Sequence, residues 1–468
     1  MKDSIFRKYD IRGIVGSELF IEEVYALARA MAFYLQDQQP NLKTVAVAMD
    51  GRLHSPAIKD ELIQAFLDSG INVTFIGLCP TPLLYFATHK LPVEAGIIIT
   101  ASHNPKEYNG FKIVLNKEAL SSEQIEEVKR AYRLGKNIAS IRKGRYKEQS
   151  IFDQYLKSLV GQFDHLKDLD VAAAIDCGNG TAGTVIPDLI EAMNWKGCAT
   201  LFENIDGSYP NHEADPTKKE NLKQLKQHLE DSQCKIGIGF DGDVDRIGVM
   251  TKSGTLIPND QLIGLFSKLI LQNHPGSAIV YDVRCSGGLA ELLERWQGKP
   301  KPSPCGSSSI KAAMKKNSAK FGGELSGHFC FADKHDGYDD AIYAMMRLFE
   351  TCKVFDQDLE TLLKEFPVRA STPEIRLSCK EEDKLKIIDK VKNQIKKKKE
   401  FKTNFVDGVQ FISPCYWAII RPSNTQAEIS LRMEAKTEKE LAELKKLTIE
   451  MINEFFSADY LNKMFDLK

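Results

Sequence analysis

No stretch of this chain stays apolar for anything near the roughly 20 residues that a bilayer-spanning helix needs, so no membrane span is expected. The start, Met1-Lys2-Asp3-Ser4-Ile5, lacks the apolar core of a secretory signal. An excess of either charge is missing too: 63 Lys and Arg stand against 64 Asp and Glu, a formal net charge of −1. So even a balance gives no footing to a nucleic-acid or anionic-membrane partner. The ten cysteines are scattered singly without one Cys-x-x-Cys pair, and Cys177, Cys234 and Cys330 sit in or beside apolar runs. Buried reduced thiols of a cytoplasmic protein fit this better than disulfides or a zinc site. What is there is globular composition, 43% hydrophobic and 27% charged over 468 residues, enough for three or four domains of about 100–150 residues.

Three segments repeat one pattern. Val45–Asp50, Val171–Asp176 and Ala278–Asp282 are apolar strands ending in aspartate, each followed by a loop and helix-like sequence. Downstream of each comes a second strand running into a polar loop: Ile97–Asn104, Ile236–Arg246 and Phe321–His328. Strands alternating with helical stretches imply parallel α/β units, and three copies imply three related domains. After Phe366-Pro367 the pattern changes. A basic helical stretch Lys384–Lys399, a strand-like run Val409–Arg421, a strand Glu428–Met433 and an amphipathic helix Glu438–Phe456 read as a smaller α+β domain. Segments 1–145, 146–252, 253–366 and 367–468 are expected, with boundaries good to several residues. The run Lys396–Lys399 reads as a solvated helix face, because acidic residues surround it.

The loops carry the chemistry. Thr100-Ala101-Ser102-His103-Asn104-Pro105 follows the apolar run Ala95–Ile99, and ligands of α/β sheets collect outside such strand ends. Ser102 is therefore the expected site of covalent chemistry. It lies outside any Gly-x-Ser-x-Gly elbow, and His103, adjacent in sequence, reads as poorly placed to serve as its base, which disfavours a serine hydrolase. Asp241-Gly242-Asp243-Val244-Asp245-Arg246 sets three aspartates at alternate positions. They can converge on one hard cation such as Mg2+ and would repel one another strongly without it. An EF-hand is excluded, since Arg246 stands where it needs Gly and Lys252 where it needs Glu. Gly323-Glu324-Leu325-Ser326-Gly327-His328 suits the hydroxyls of a sugar and reads equally as a polar turn. Arg421-Pro422-Ser423-Asn424-Thr425 makes a phosphate cradle or, taken alone, an Asx/ST turn. Arg7–Gly13 puts cations near an early glycine turn, and Lys112 begins the strand after the Ser102 loop. A nucleophile, a metal trio, sugar-type donors and an anion cradle are the parts that phosphoryl transfer needs.

Together with Tyr9-Asp10-Ile11-Arg12-Gly13, these motifs in their order and spacing resemble the α-D-phosphohexomutase superfamily from residue 6 to the chain end. Thr-Ala-Ser-His-Asn-Pro with Gly-Glu-Leu-Ser-Gly-His resembles its bacterial phosphomannomutase/phosphoglucomutase branch. The resemblance implies an α/β fold of three tandem related domains with mixed or parallel sheets, plus a TATA-binding-protein-like α+β domain, around one central cleft. It implies that Ser102 carries a phosphoryl group, and that Asp241, Asp243, Asp245 and a phosphoserine oxygen hold one Mg2+. Arg246 would contact the reacting phosphoryl or the substrate, Glu324 and Ser326 the sugar hydroxyls, and Arg421, Ser423, Asn424 and Thr425 the non-reacting phosphate. Tyr9, Arg12, His103, Lys112 and His328 would line the reaction site, with Lys112 or His328 moving the proton, and Arg284 would bear on the sugar. The implied reaction interconverts hexose 6-phosphate and hexose 1-phosphate, of mannose and glucose, through a hexose 1,6-bisphosphate. The enzyme would be cytoplasmic, act on phosphosugars without nucleic acid or membrane, and be a monomer, with a dimer as the alternative. A phosphoglucosamine mutase, against which Leu325 argues, and a silent phosphosugar-binding homologue are the competing readings. In two places the chain departs from the branch: Ser307 stands for the usual histidine in Gly306-Ser307-Ser308, and Arg284 for lysine in Asp282-Val283-Arg284-Cys285. Val244 stands where glycine is frequent and reads as turned away from the metal.

Overall fold

The computed structural model describes residues 1–423 and 427–465. The chain divides into two compact units: Met1–Asn259 with Ser326–Leu362, and Asp260–Leu325 with Leu363 onward. In the first unit, β1 (Ile11–Ile14), β2 (Thr44–Met49), β3 (Asn72–Leu78), β4 (Ala95–Ile99), β5 (Tyr108–Leu115), β6 (Glu118–Ala119) and β7 (Tyr146–Glu148) form a mixed sheet. Its order is β1-β5-β4-β2-β3-β7, with β6 on β5. β2 runs parallel to β3 and β4, whereas β5 is antiparallel to both β4 and β1. β4 is buried along its whole length, which its uninterrupted apolar run foretells. Ile97 and Ile99 join Val45 and Val47 in one core with Leu62 and Phe66 of the helix Ser55–Asp68. On the opposite face the helix Thr81–Lys90 comes close over Gly96, where a Cβ would meet the Thr88 side chain at 2.9 Å.

A second sheet in this unit has β8 (Ala173–Asp176), β9 (Ala199–Leu201), β10 (Ile236–Phe240) and β11 (Ile247–Thr251) in the order β11-β10-β8-β9. β8 is parallel to β9 and β10, and β11 returns antiparallel to β10. Thus β4–β5 and β10–β11 are equivalent hairpins, and their connecting loops are those of Ser102 and of the three aspartates.

In the second unit β12 (Ala278–Asp282) lies between and parallel to β13 (Lys299–Ser303) and β14 (Phe321–Gly323). The short β15 (Phe329–Phe331) belongs to the first unit. The carboxy-terminal sheet is antiparallel, with β16 (Ala370–Ser371), β17 (Ile375–Ser378), β18 (Lys402–Asn404), β19 (Val409–Ile412), β20 (Tyr416–Pro422) and β21 (Glu428–Ala435). Its order is β16-β21-β20-β19-β18, with β17 also on β21. Ile387 and Val391 of the helix Glu381–Ile395 and Leu441 and Leu444 of the helix Glu438–Ile452 share a core with Phe411, Ile420 and Leu431.

Three expectations for this tail change in detail. The basic helix ends at Ile395, leaving Lys396–Lys399 outside it, where like charges one turn apart do not have to be held together. The run Val409–Arg421 is a hairpin broken by a turn at Ser413, whose backbone N–H bonds the carbonyl of Tyr416 at 2.8 Å. The amphipathic helix ends at Ile452, short of Phe456, and a further helix, Ala458–Met464, follows it, capped by Ser457, which accepts the Tyr460 N–H.

The threefold repeat holds down to single hydrogen bonds. At the strand ends, Asp50 accepts the backbone N–H of Arg52 at 3.0 Å, Asp176 that of Gly178 at 2.8 Å, and Asp282 that of Arg284 at 2.8 Å. In each case the side chain closes its own turn two residues on.

Candidate active site

Ser102 sits on the β4–β5 loop with φ 52°, in the left-handed region, and is 1% exposed. Its N–H is held by the hydroxyl of Thr100 at 2.9 Å. The left-handed turn aims Oγ at the β10–β11 loop, where it donates to Asp241 Oδ2 at 2.6 Å. The other oxygen of Asp241 accepts the N–H groups of Asp245 at 3.0 Å and Arg246 at 3.1 Å, so Asp241 ties up the loop that bears it. The two loops touch through backbone. A Cβ on Gly242 would lie 2.7 Å from the carbonyl oxygen of Ser102 and 2.9 Å from Tyr209 Oη.

The three aspartates converge as their spacing predicts, with a ligand oxygen of each within 4.8 Å of the others. Thr81 Oγ1 donates to Asp243 Oδ2 at 2.6 Å, and Lys112 Nζ reaches the same oxygen at 2.6 Å and also pairs with Asp245. Burial favours the neutral form of Lys112, but Asp243, Asp245 and Asp241 outweigh it and hold the ammonium charged. Burial, then the carboxylates of Asp245 and Asp243, push Asp241 well above the usual range. For Asp243 burial acts in the same sense, but Lys112 and the Thr81 hydrogen bond prevail and keep it ionised. Asp243 Oδ1 and Asp245 Oδ1 are buried with no hydrogen-bond partner. A hard divalent ion fits this donor set: carboxylate oxygens, unspent lone pairs and crowded negative charge.

Val244 lies between the ligands at φ 64° and is fully buried. A β-branched residue in the left-handed region carries strain, so glycine's frequency in resembling chains has a backbone reason, and the side chain here belongs to the packing. Lys112, expected to begin a strand, sits in the middle of β5, opposite Ile98 of β4. A second difference concerns His103. Its Nδ1 is 3.1 Å from Ser102 Oγ, because the left-handed turn brings consecutive side chains together. Burial, followed by Arg246, Arg12, His328 and Lys112, drives the His103 pKa well below its ordinary value, so the imidazole is neutral.

Arg246 Nε donates to His328 Nε2 at 3.0 Å, and His328 Nδ1 lies 3.2 Å from Asp339 Oδ2. The turn before His328 is seated on β11, with Ile247 N–H bonded to the carbonyl of Gly327 at 3.2 Å. Arg12 pairs with Asp10 and reaches Asn104 Oδ1 of the serine loop. Tyr9 is half-buried before β1, under Lys8 at 5.4 Å from its ring, and Ser326 is half-buried on the turn at residues 324–328.

The second unit assembles the other expected residues. Arg284 grips Asp282 with Nε and Nη2, each at 3.0 Å, and its Nη2 is 4.0 Å from Glu324 Oε1. Burial would raise the Asp282 carboxyl, but Arg284 and the N–H groups of Leu325 and Arg284 hold it low. Glu324 accepts the N–H of Gly306 at 2.6 Å, next to Ser307, the first residue of the helix Ser307–Asn317. Arg421 pairs with Asp407, whose carboxylate also takes the N–H of Cys305 at 3.2 Å. The two pairs thus end on consecutive backbone N–H groups, Asp407 on Cys305 and Glu324 on Gly306. Ser423 ends this side, and Lys384 Nζ donates to its carbonyl at 2.9 Å. Asn424 and Thr425 lie outside the described residues. Sequence reasoning missed Thr81, Asp339 and Lys384, which come from other loops and helices without a motif of their own.

Hydroxyl, carboxylates and cations converging where two hairpin loops meet, in tandem α/β domains, make up an enzyme of phosphoryl transfer. Patterns described as phosphoglucomutase/phosphomannomutase alpha/beta/alpha domains I, II and III match residues 3–138, 153–254 and 258–369, and the corresponding C-terminal domain matches residues 374–451. A "Phosphomannomutase/phosphoglucomutase" of Pseudomonas putida is 40% identical over 95% of this chain and 94% of that protein. A "Phosphoglucomutase" of Neisseria meningitidis is 35% identical over 93% of each. A crystal structure of a phosphoglucomutase/phosphomannomutase family protein from Burkholderia thailandensis has a TM-score of 0.90 at 33% identity, covering 98% of this chain and 99% of that one. The chain belongs to the phosphoglucomutase/phosphomannomutase family.

Proposed function

We propose that this enzyme is a phosphohexomutase that interconverts the 6- and 1-phosphates of mannose and glucose, with Ser102 as the phosphoryl carrier. One observation carries the reading: Ser102 Oγ lies 2.6 Å from Asp241 inside a trio of carboxylates with unpartnered buried oxygens. Phosphorylated Ser102 gives its phosphoryl to the free hydroxyl of a hexose phosphate; the Oγ–P bond breaks as the sugar O–P bond forms. Of Lys112 and His328, the two groups expected to move the proton, Lys112 is already an ammonium, so His328 takes the hydroxyl proton while Lys112 offsets the charge of the phosphoryl group. The resulting 1,6-bisphosphate turns end for end and returns its other phosphoryl to Ser102. Arg246, held by His328, and Arg12, held by Asp10, steady the transferred group. Glu324 and Ser326, with Arg284 close by, orient the sugar, and Arg421, Ser423, Asn424 and Thr425 hold the phosphate that does not react. Asp241, Asp243, Asp245 and a phosphoserine oxygen would hold Mg2+, which would supply charge neutralisation at the phosphoryl group.

Segments 1–145, 146–252, 253–366 and 367–468 supply, in turn, the phosphoserine loop, the metal loop, the sugar loop and the phosphate cradle. Hexose 1,6-bisphosphate doubles as activator. We place the enzyme in the cytoplasm as a monomer; the buried thiols Cys177 and Cys234, which form no disulfide, support the compartment. No described helix is long and apolar enough to cross a membrane. Intact-mass measurement tests the reading: one phosphate adduct is expected, absent in Ser102→Ala, together with turnover of mannose 1-phosphate and glucose 1-phosphate in Mg2+ and a trace of bisphosphate. An S102A variant that keeps full mutase activity would refute it.

A further inference from the structure

The serine loop is held by a side chain to which no motif points. Arg52, on the turn after β2, is 1% exposed, and its guanidinium spends all five N–H donors. Nη2 donates to the carbonyls of Ser102 at 2.8 Å and Asn104 at 2.6 Å. Nη1 donates to those of Pro105 at 2.7 Å and Tyr108 at 3.0 Å. Nε donates to Asp50 Oδ2 at 3.1 Å. Asp50 in turn accepts the hydroxyl of Ser55 at 2.7 Å, and Ser55 Oγ accepts Nδ2 of Asn109 at 3.0 Å. The loop from Ser102 to Asn109 is therefore tied at several points to one buried strand end. The guanidinium also stands 5.3 Å from the ring of Tyr209, whose hydroxyl borders Gly242. The carbonyl that Arg52 grips on Ser102 is the one that approaches Gly242 of the metal loop most closely.

We propose that Arg52 is the positioning residue of the reaction. By holding four loop carbonyls it fixes the left-handed turn of Ser102, and so keeps Oγ facing the metal loop whether or not the serine carries a phosphoryl group. This rests on the phosphoserine reading. A cycle in which one serine must give a phosphoryl and take another back, with the sugar reversed between, needs an acceptor that has not moved. Lysine cannot replace arginine here: its donors radiate from a single nitrogen and cannot fork across four carbonyls. A displacement of about 1 Å at a reacting atom costs roughly a hundredfold in rate.

The test is R52K in the full chain with Mg2+, which keeps a cation beside Asp50. Steady-state turnover of glucose 1-phosphate is measured beside hydrogen exchange of the amides at 102–108. Expected are a kcat lower by roughly tenfold or more, a KM within about twofold, and faster exchange at 102–108 while β2 and β4 stay protected. A kcat within about twofold of the unaltered enzyme overturns the proposal, as does a loss carried by KM alone, or unchanged exchange at 102–108. Exchange that quickens through the whole sheet, or a variant that does not fold, makes Arg52 a residue of the fold only and overturns it equally. If the unaltered enzyme neither takes a phosphate on Ser102 nor turns over, the mutase reading fails instead, and exchange in R52K still reports whether Arg52 holds the loop.

Discussion

Replacing Thr81 with valine keeps the outline of a side chain that is 1% exposed and deletes one hydroxyl. That hydroxyl donates to Asp243 Oδ2 at 2.6 Å, while the backbone N–H of Thr81 holds the carbonyl of the same aspartate at 2.9 Å. The variant therefore leaves the loop anchored and removes only the bond that orients the carboxylate. A hydrogen bond to a charged group is worth about 1.5–3 kcal/mol, a factor of roughly 10 to 150. Lys112 Nζ remains on the same oxygen at 2.6 Å, which places the loss near the lower end. Groups that orient a metal ligand in this way typically change metal affinity by about 10- to 100-fold. For T81V we expect the Mg2+ concentration for half-maximal activity to rise about tenfold, with kcat recovered at saturating Mg2+. The assay is initial velocity with glucose 1-phosphate across a Mg2+ titration, beside a melting curve to confirm folding. An unchanged half-saturation point, or a kcat loss that excess Mg2+ does not restore, would refute the assigned role.

Other expectations follow from the same contacts. In G242A the new methyl would meet the Ser102 carbonyl at 2.7 Å, a backbone atom unable to swing aside; kcat is expected to fall roughly tenfold or more as the loops part, and full activity would show that their spacing has slack. His212 lies 3.1 Å from Asp176 Oδ2; burial opposes its protonation, but the Asp176 hydrogen bond prevails and raises its pKa. The stabilisation is then complete below the unfolded value of about 6.5 and is lost as pH rises through the raised folded value. Melting temperatures of H212Q and the unaltered chain should accordingly differ more near pH 6 than near pH 9, and equal differences would dismiss the pair. K384M removes the ammonium from the Ser423 carbonyl; KM for the phosphosugar is expected to rise about three- to tenfold with kcat kept, and an unchanged KM would dismiss its link to the phosphate cradle.

The parts of the site that could be read from the sequence share one property: a signal carried by neighbouring residues in the chain. Asp241, Asp243 and Asp245 announce themselves by spacing, and Ser102 by the apolar run before it. The strands β4, β10 and β12 fall where their apolar residues put them. Thr81 could not be read, because its partner Asp243 is 162 residues away and only the fold supplies the link. Arg52 could not be read either, since four of its acceptors are backbone carbonyls, which have no sequence signature. His103 differs from its expected placement because adjacency usually sends neighbouring side chains apart, and the left-handed turn at Ser102 cancels that rule locally.

The aspartate at the end of β2, β8 and β12 closes the same small ring with its own chain, yet its surroundings vary: Arg52 gripping a serine loop, His212, and Arg284 beside Glu324. An ancestral unit copied in tandem could thus diversify its rim while the knot beneath stayed tied. Swapping rim segments between the copies ought to disturb catalysis long before it disturbs folding.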